Sequence, residues 1–465
     1  MEFMQHQKKG FDEGLSGGTC FFWDCGTGKT ILGLSLIRAW VSKGCGPGLV
    51  ICPLSIIESA WLEDNAKIDS PLDAVSLWDK RKDKRIRRLN EDHELYIVNY
   101  DQYKLLWPEI TKRQFGTVIV DESVKLQDNR SQITRSILTL AGYGPARPTR
   151  RNKFARQNPT PFRYCLSGIP APRDEQQYWG QVKFVTGYND QVFSKNFYQF
   201  RNNWFIPIEV SPTQRMWKFN QNLREEFHEK LSEVAHVVRT EDVMDLPERH
   251  AMPRKVYLSS KEQSAYKKME RELVVLIQQH EVLAKNALDK CMRLRELTSG
   301  FLYREDGGGI VYTGKSKLTE TKNVLAEIGD NQVIIWYNFK AERDILLETL
   351  GEKAQAAGSP GPQRNKVISD FKQGRFQYLI AYPGSLGHGL TLTNAHYNLY
   401  YSISSNYDFM EQSAKRTHRK TQDKECYNIY LLAANTYDEI LYKTVLKRES
   451  LKEATMAYLR GKQNG

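Results

Sequence analysis

The 465 residues exceed one ordinary core, and 40% hydrophobic and 26% charged content with 24 tyrosines excludes disordered and fibrous classes. The net charge of +12 favours a polyanionic partner without naming one. Seven cysteines with no CxxC pair suit neither a disulfide framework nor a zinc site, and no apolar run reaches the length of a bilayer span, so a cytoplasmic protein without a membrane partner is expected.

The first informative segment is GTCFFWDCGTGKTILGLSLIRAW, an apolar strand pattern, a Gly-rich turn and apolar residues at helical spacing. Strand, loop and helix in that order form a phosphate cradle. Gly26, Thr27 and Gly28 let backbone amides close around phosphate oxygens, Lys29 reaches the β and γ phosphates, and the Thr30 hydroxyl is a ligand for Mg²⁺. Trp23 stands where the strict GxxxxGK[ST] pattern has its first Gly.

About ninety residues on, FGTVIVDESVKLQD is a β-branched strand that stops at two acids. Asp121 is the expected Mg²⁺ ligand there, and Glu122 the group that orients or deprotonates water. The next strand, FRYCLSGIPAPRDEQQYW, ends at Ser167 and Gly168, with Pro170 closing it.

These pieces in this order resemble superfamily 2 helicases, and the second half narrows the resemblance to the Swi/Snf-type DNA translocases. FMQHQKKG looks like the family's opening motif, in which Gln7 would read adenine. VICPLSIIESAW, YIVNYDQY, DESVKLQD and LSGIP resemble successive motifs of the first motor domain. VVRTEDVMDLPERH looks like the crossing into the second domain, and QVIIWYNFKAERDILLETL like that domain's first strand and helix. GSLGHGLTLTNAHYNLYYS and QSAKRTHRKTQ, with Gly387, Gly389, Gln412, Arg416 and Arg419, carry the most specific likeness.

The resemblance implies an α/β fold of two tandem RecA-like domains, each a parallel sheet flanked by helices, with ATP and Mg²⁺ bound between them. It implies that Arg416 and Arg419 act as arginine fingers, that Gln412 orients their network, and that Lys29, Asp121 and Glu122 carry the hydrolysis. The implied division is motor domain 1 over 1–210, helical protrusions and linker over 211–305, motor domain 2 over 306–450 and a polar tail over 451–465. The family's acidic motif usually continues Ala-His, where this chain has Ser123 and Val124. Leu386, His388 and Thr421 also depart from the usual pattern.

A surplus of residues about 142–161 reads as a basic, Pro-rich insertion, with Arg147, Arg150, Arg151, Lys153 and Arg156 and not one acid. It is either a DNA-contacting loop or wedge, or a solvated mobile loop. Further DNA contacts carried over from the family are Pro53, Asn99, Tyr100, Asn338, Thr391 and Thr393. The expected activity is a DNA-dependent ATPase, a translocase or helicase on duplex or branched DNA acting as a monomeric motor in a bacterial or phage-infected cell, with remodelling of forks or branches, or displacement of bound protein, as its task. The alternative is a nucleotide-gated DNA-binding scaffold whose ATPase is decoupled.

Overall fold

The computed structural model describes residues 3–147, 149, 153–155, 157–172, 174–187, 192–211, 214–243, 245–279, 284–304, 308–358, 361–384, 386 and 390–447. The chain divides into two units, Met1–Asp245 and Leu246–Gly465.

In the first unit the strands are β1 (Thr19–Trp23), β2 (Gly48–Cys52), β3 (Ala74–Ser76), β4 (Leu95–Asn99), β5 (Thr117–Asp121), β6 (Phe162–Leu166), β7 (Phe205–Ser211), β8 (Gln214–Phe219) and β9 (Ala235–Val238). Seven of them form one sheet in the order β3-β4-β2-β5-β6-β1-β9, and every pairing in it is parallel. The central strands read as unbroken apolar runs because both faces are covered: all five residues of β1, β2, β4 and β5 are buried. The helices are α1 (Gln5–Gly14), α2 (Lys29–Ser42), α3 (Glu63–Lys67), α4 (Lys82–Asn90), α5 (Tyr100–Ile110), α6 (Gln132–Leu138), α7 (Tyr178–Thr186), α8 (Phe197–Trp204), α9 (Arg224–Ser232) and α10 (Thr240–Val243). Strands β7 and β8 pair only with each other, as a hairpin rooted in rings that include Phe205, Phe219 and Phe227.

The second unit has a six-stranded sheet, all parallel, from β10 (Arg249–Val256), β13 (Val333–Trp336), β14 (Ala354–Ala356), β15 (Tyr378–Ala381), β16 (Tyr397–Tyr400) and β17 (Cys426–Ala433), in the order β10-β17-β16-β13-β15-β14. A small hairpin joins β11 (Phe301–Tyr303) to β12 (Ile310–Tyr312). Its helices are α11 (Ser260–Gln279), α12 (Ala284–Thr298), α13 (Ser316–Ile328), α14 (Lys340–Leu350), α15 (Pro362–Lys372), α16 (Tyr407–Ala414) and α17 (Tyr437–Leu446). Among the described residues no helix is long and apolar enough to cross a membrane.

The segment 211–305, expected as helical protrusions and linker, is divided between the units. Its β9 closes the first sheet against β1, and its β10 edges the second against β17. Thus β10, not β13, is the first strand of the second sheet in chain order. Its sequence RHAMPRKV reads weakly as a strand because most of it is exposed at a sheet edge, where Pro253 is tolerated. The tail 451–465 lies outside the described residues.

Candidate active site

Strand order brings the first unit's chemistry together. Because β5, β6 and β1 are neighbours, their carboxyl ends set Asp121, Ser167 and the Gly-rich loop side by side, as ligand sites in such sheets require. Gly28 has φ +88°, and a Cβ there would fall 2.0 Å from Gln7 Nε2, so only Gly both turns the chain and admits Gln7. Gln7 is buried, accepts from the Met4 amide at 2.9 Å and lies with its Nε2 3.4 Å from the Thr27 carbonyl, to which His6 Nε2 also donates at 2.9 Å. Lys29, the first residue of α2, curls back to donate to the carbonyls of Trp23 at 2.6 Å and Asp24 at 2.9 Å. The Thr27 hydroxyl donates to the same Asp24 carbonyl at 2.8 Å. Gly26 is exposed, and Thr30 is half-buried in the first turn of α2.

The acids are buried at the end of β5. Trp61 Nε1 donates to Asp121 Oδ2 at 2.9 Å, and the Glu122 amide donates to Asp121 Oδ1 at 2.9 Å. Burial, then the neighbouring Glu122 charge, push the Asp121 carboxyl up to about 7, while Lys29 pulls the other way. Glu122 itself sits in the left-handed region at φ 55°, an unusual conformation for a residue with a Cβ. A buried acid pair with Lys29 near enough to act on Asp121 is chemistry that fits a divalent cation.

Comparison with known proteins gives the family. The SNF2-related domain matches residues 3–143 and 147–299, and the helicase conserved C-terminal domain matches 316–421. The chain belongs to the SNF2-related family.

A putative protein p41 of Acyrthosiphon pisum secondary endosymbiont phage 1 is 24% identical over 449 residues, covering 92% of this chain and 91% of that protein. The chromodomain-helicase-DNA-binding protein 1-like of Danio rerio is 21% identical over 458 residues; the match covers 93% of this chain but only 41% of that protein's length. Among solved structures, the Pyrococcus furiosus Hef helicase domain is similar with a TM-score of 0.55 and 12% identity, covering 94% of this chain and 97% of that one, which supports the fold of two tandem RecA-like domains. As a member of the SNF2-related family, the chain is a DNA-dependent ATPase.

In this SNF2-related chain the second unit's motif residues form a compact cluster of their own. Arg416 is buried and directs one guanidinium nitrogen 3.4 Å from the Leu390 carbonyl. Arg419 donates to Thr391 Oγ1 at 3.0 Å and to the Lys415 carbonyl at 3.1 Å. Thr393 and Thr421 share a hydroxyl bond at 2.8 Å, and the buried Gln422 amide reaches the carbonyls of Thr393, Ala395 and Thr417. Gln412 is half-buried on α16. His418 donates to the Pro247 carbonyl at 2.7 Å, and burial holds its pKa down. Gly387 and Gly389 lie outside the described residues.

The residues carried over as DNA contacts fall into separate groups. Pro53 follows β2 and Asn99 ends the neighbouring β4, Cys52 being paired with Asn99. Asn99 is buried and its Oδ1 has no hydrogen-bond partner. Tyr100 is used internally, its hydroxyl donating to the Asp121 carbonyl at 2.6 Å. Asn338 donates to the Ser402 carbonyl at 2.8 Å and to its hydroxyl at 3.0 Å.

In the basic insertion, Arg147 and Lys153 are exposed, and Arg150, Arg151 and Arg156 lie outside the described residues. Its far half is docked. Phe154 is buried edge-on against Trp107 at 5.0 Å, and the amides of Gln157 and Thr160 bond to the carbonyls of Thr139 and Leu140.

Sequence reading misses Trp61, whose bond to Asp121 joins positions sixty residues apart, and Gln181, which accepts from the Ser123 hydroxyl at 2.6 Å. Trp61 ends the segment VICPLSIIESAW but has no role assigned there, and Gln181 stands in no motif. The signal for Gln181 is a polar side chain in the helical segment GQVKFV, whose residues are all buried.

Proposed function

We propose that this SNF2-related ATPase is a translocase that couples ATP hydrolysis to movement along duplex DNA, with remodelling of forked or branched DNA as its task. What supports hydrolysis in the first unit is the convergence of Lys29, Ser167 and Asp121 at three adjacent strand ends. Gly26, Thr27, Gly28 and Lys29 would hold the phosphates and Gln7 the adenine. Thr30 and Asp121 would hold Mg²⁺, which when bound neutralises phosphate charge. Glu122 would orient the attacking water. Arg416 and Arg419 would neutralise charge on the γ phosphate in the transition state, with Gln412 orienting them.

The net charge of +12 and the similarity to the chromodomain-helicase-DNA-binding protein 1-like of Danio rerio support a nucleic-acid track. Contacts through phosphates position such a motor without reading sequence, so binding is expected to be salt-dependent and sequence-tolerant. The exposed Arg147 and Lys153 on a docked insertion support contact at a branch.

The deciding experiment measures ATPase stimulation and strand displacement across duplex, fork, four-way junction and single strand. Stimulation by duplex or branched DNA is the expected result. An ATPase that none of the four stimulates overturns the translocase reading and leaves a nucleotide-gated DNA-binding scaffold.

A further inference from the structure

The family's acidic motif continues with a His that this chain lacks, so its acid pair needs another support. The position is demanding, because Glu122 is held at φ 55° and ψ 51°, and the 3₁₀ turn Ser123–Leu126 follows at once. A non-Gly residue keeps such a conformation only when its surroundings fix it.

The surroundings are specific. The Ser123 hydroxyl, fully buried, donates to Gln181 Oε1 at 2.6 Å. The same amide's Nε2 donates to the Pro170 carbonyl at 2.7 Å and to the Gln177 carbonyl at 3.0 Å. Gln181 is itself fully buried on α7, and its backbone carbonyl lies 3.6 Å from Cys165 Sγ on β6. Helix α7 meets the turn so closely that a Cβ on Gly180 would lie 2.2 Å from the Leu126 carbonyl. A buried amide that lost these partners would be left unsatisfied, which holds Gln181 in place.

The other end of the chain of bonds reaches the phosphate loop. Pro170 closes the loop that begins with Ser167 and Gly168, and a Cβ on Gly168 would lie 3.1 Å from Cys25 Sγ and 3.7 Å from Lys29 Nζ. The Ser167 hydroxyl in this loop is buried with no hydrogen-bond partner, so the loop carries a donor that the protein itself does not satisfy. The 167–170 loop therefore lies between Lys29 on one side and, through Gln181, Ser123 and Glu122 on the other.

We infer that Gln181 is a positioning residue for ATP hydrolysis: through Ser123 it fixes Glu122, and through Pro170 it ties Glu122 to the loop that borders Lys29. A shift of that loop is passed to Glu122 through one amide. This connection rests on the reading of Glu122 as the group that orients water.

The test compares Gln181→Met, which keeps the side chain's bulk and removes its hydrogen bonds, with Gln181→Glu and the milder Ser123→Ala. Turnover with and without duplex DNA and the KM for ATP are measured for each, alongside a thermal melt and the affinity for a fluorescent ADP. Gln181→Met is expected to lower kcat between about ten- and a hundredfold while KM for ATP and ADP affinity stay within about twofold. Ser123→Ala should fall in the same direction, and the double variant should be no slower than the slower single one.

Gln181→Glu would be buried beside the Pro170 and Gln177 carbonyls, which hold its carboxyl protonated. The neutral acid can accept from Ser123 and donate to Pro170, so it should keep more turnover than Gln181→Met. Full turnover in Gln181→Met or in Ser123→Ala overturns the connection. Loss of ADP affinity in step with kcat overturns positioning in favour of a merely structural role, and Ser123→Ala keeps the test open should the Gln181 variants not fold. A parent whose turnover no DNA stimulates, but whose basal turnover falls in Gln181→Met, overturns the translocase reading while supporting the connection.

Discussion

Trp61 Nε1 holds Asp121 Oδ2 at 2.9 Å inside the first unit, so the acid expected to meet Mg²⁺ is fixed by an indole from a π-helical turn sixty residues earlier. Burial and the adjacent Glu122 raise the Asp121 carboxyl from 3.8 to about 7. Between those values the folded chain keeps the proton and the unfolded chain has lost it, so this site's contribution to stability falls as pH rises through the window. Without nucleotide, Asp121→Asn should be more stable than the parent at pH 8, by on the order of a few kcal/mol, with the difference shrinking toward pH 5. Urea melts of both proteins at the two pH values check this; a difference that grows on acidification refutes it.

Lys29 donates to two carbonyls of its own loop, and these bonds hold its amine at the mouth of the cradle. Lys29→Ala should lower ATP turnover by about a hundredfold or more, as loss of a charge aimed at developing phosphate charge does. The Asp24 carbonyl keeps the Thr27 hydroxyl while the buried Trp23 loses the lysine as a donor, so the stability cost should be about 1 to 3 kcal/mol. Steady-state ATPase and a thermal melt separate the two effects.

Arg416 and Arg419 differ in setting although the sequence presents them as a pair. Arg419 is half-buried and bonded to Thr391 Oγ1, whereas Arg416 is buried to 4% exposure. Arg419→Ala should lower turnover by about a thousandfold, the scale of an arginine finger, with DNA affinity largely kept. Arg416→Ala should lose turnover similarly and melt earlier. Normal turnover with lost DNA binding in Arg419→Ala would instead make the basic run a DNA grip.

The parallel sheets and the phosphate loop were legible because buried strands such as TVIVD and LYIVN read as unbroken apolar runs, and because Gly28-Lys29-Thr30 carries its mechanism in residue types. Strand β10 was not legible, since an exposed edge strand need not alternate or be apolar. The bonds from Trp61 to Asp121 and from Ser123 to Gln181 were not legible either. Each depends on which strands become neighbours, and the order β5-β6-β1 is a tertiary fact that no local pattern encodes. Tyr100 shows the reverse case: its motif position suggested DNA, yet its hydroxyl closes on the Asp121 carbonyl.

The basic insertion makes the last prediction, and its docking decides which variant is informative. Deleting 145–160 would remove Phe154 from its place against Trp107 and the bonds at Gln157 and Thr160. Phe154→Ala alone should cost about 3 kcal/mol, so the deletion confounds folding with function. Arg147 and Lys153 are exposed; replacing both with Ala removes the Lys153 ammonium 5.2 Å above the Phe154 ring but keeps Phe154 against Trp107 and the bonds at Gln157 and Thr160. If both meet phosphates at a branch, the double variant should keep DNA-stimulated ATPase on plain duplex and lose strand displacement on forks. Its fork affinity should depend less on salt, with the slope of log K against log salt reduced by about 2. An unchanged slope together with unchanged strand displacement would mean that the insertion is a solvated surface and that contact with branched DNA lies elsewhere.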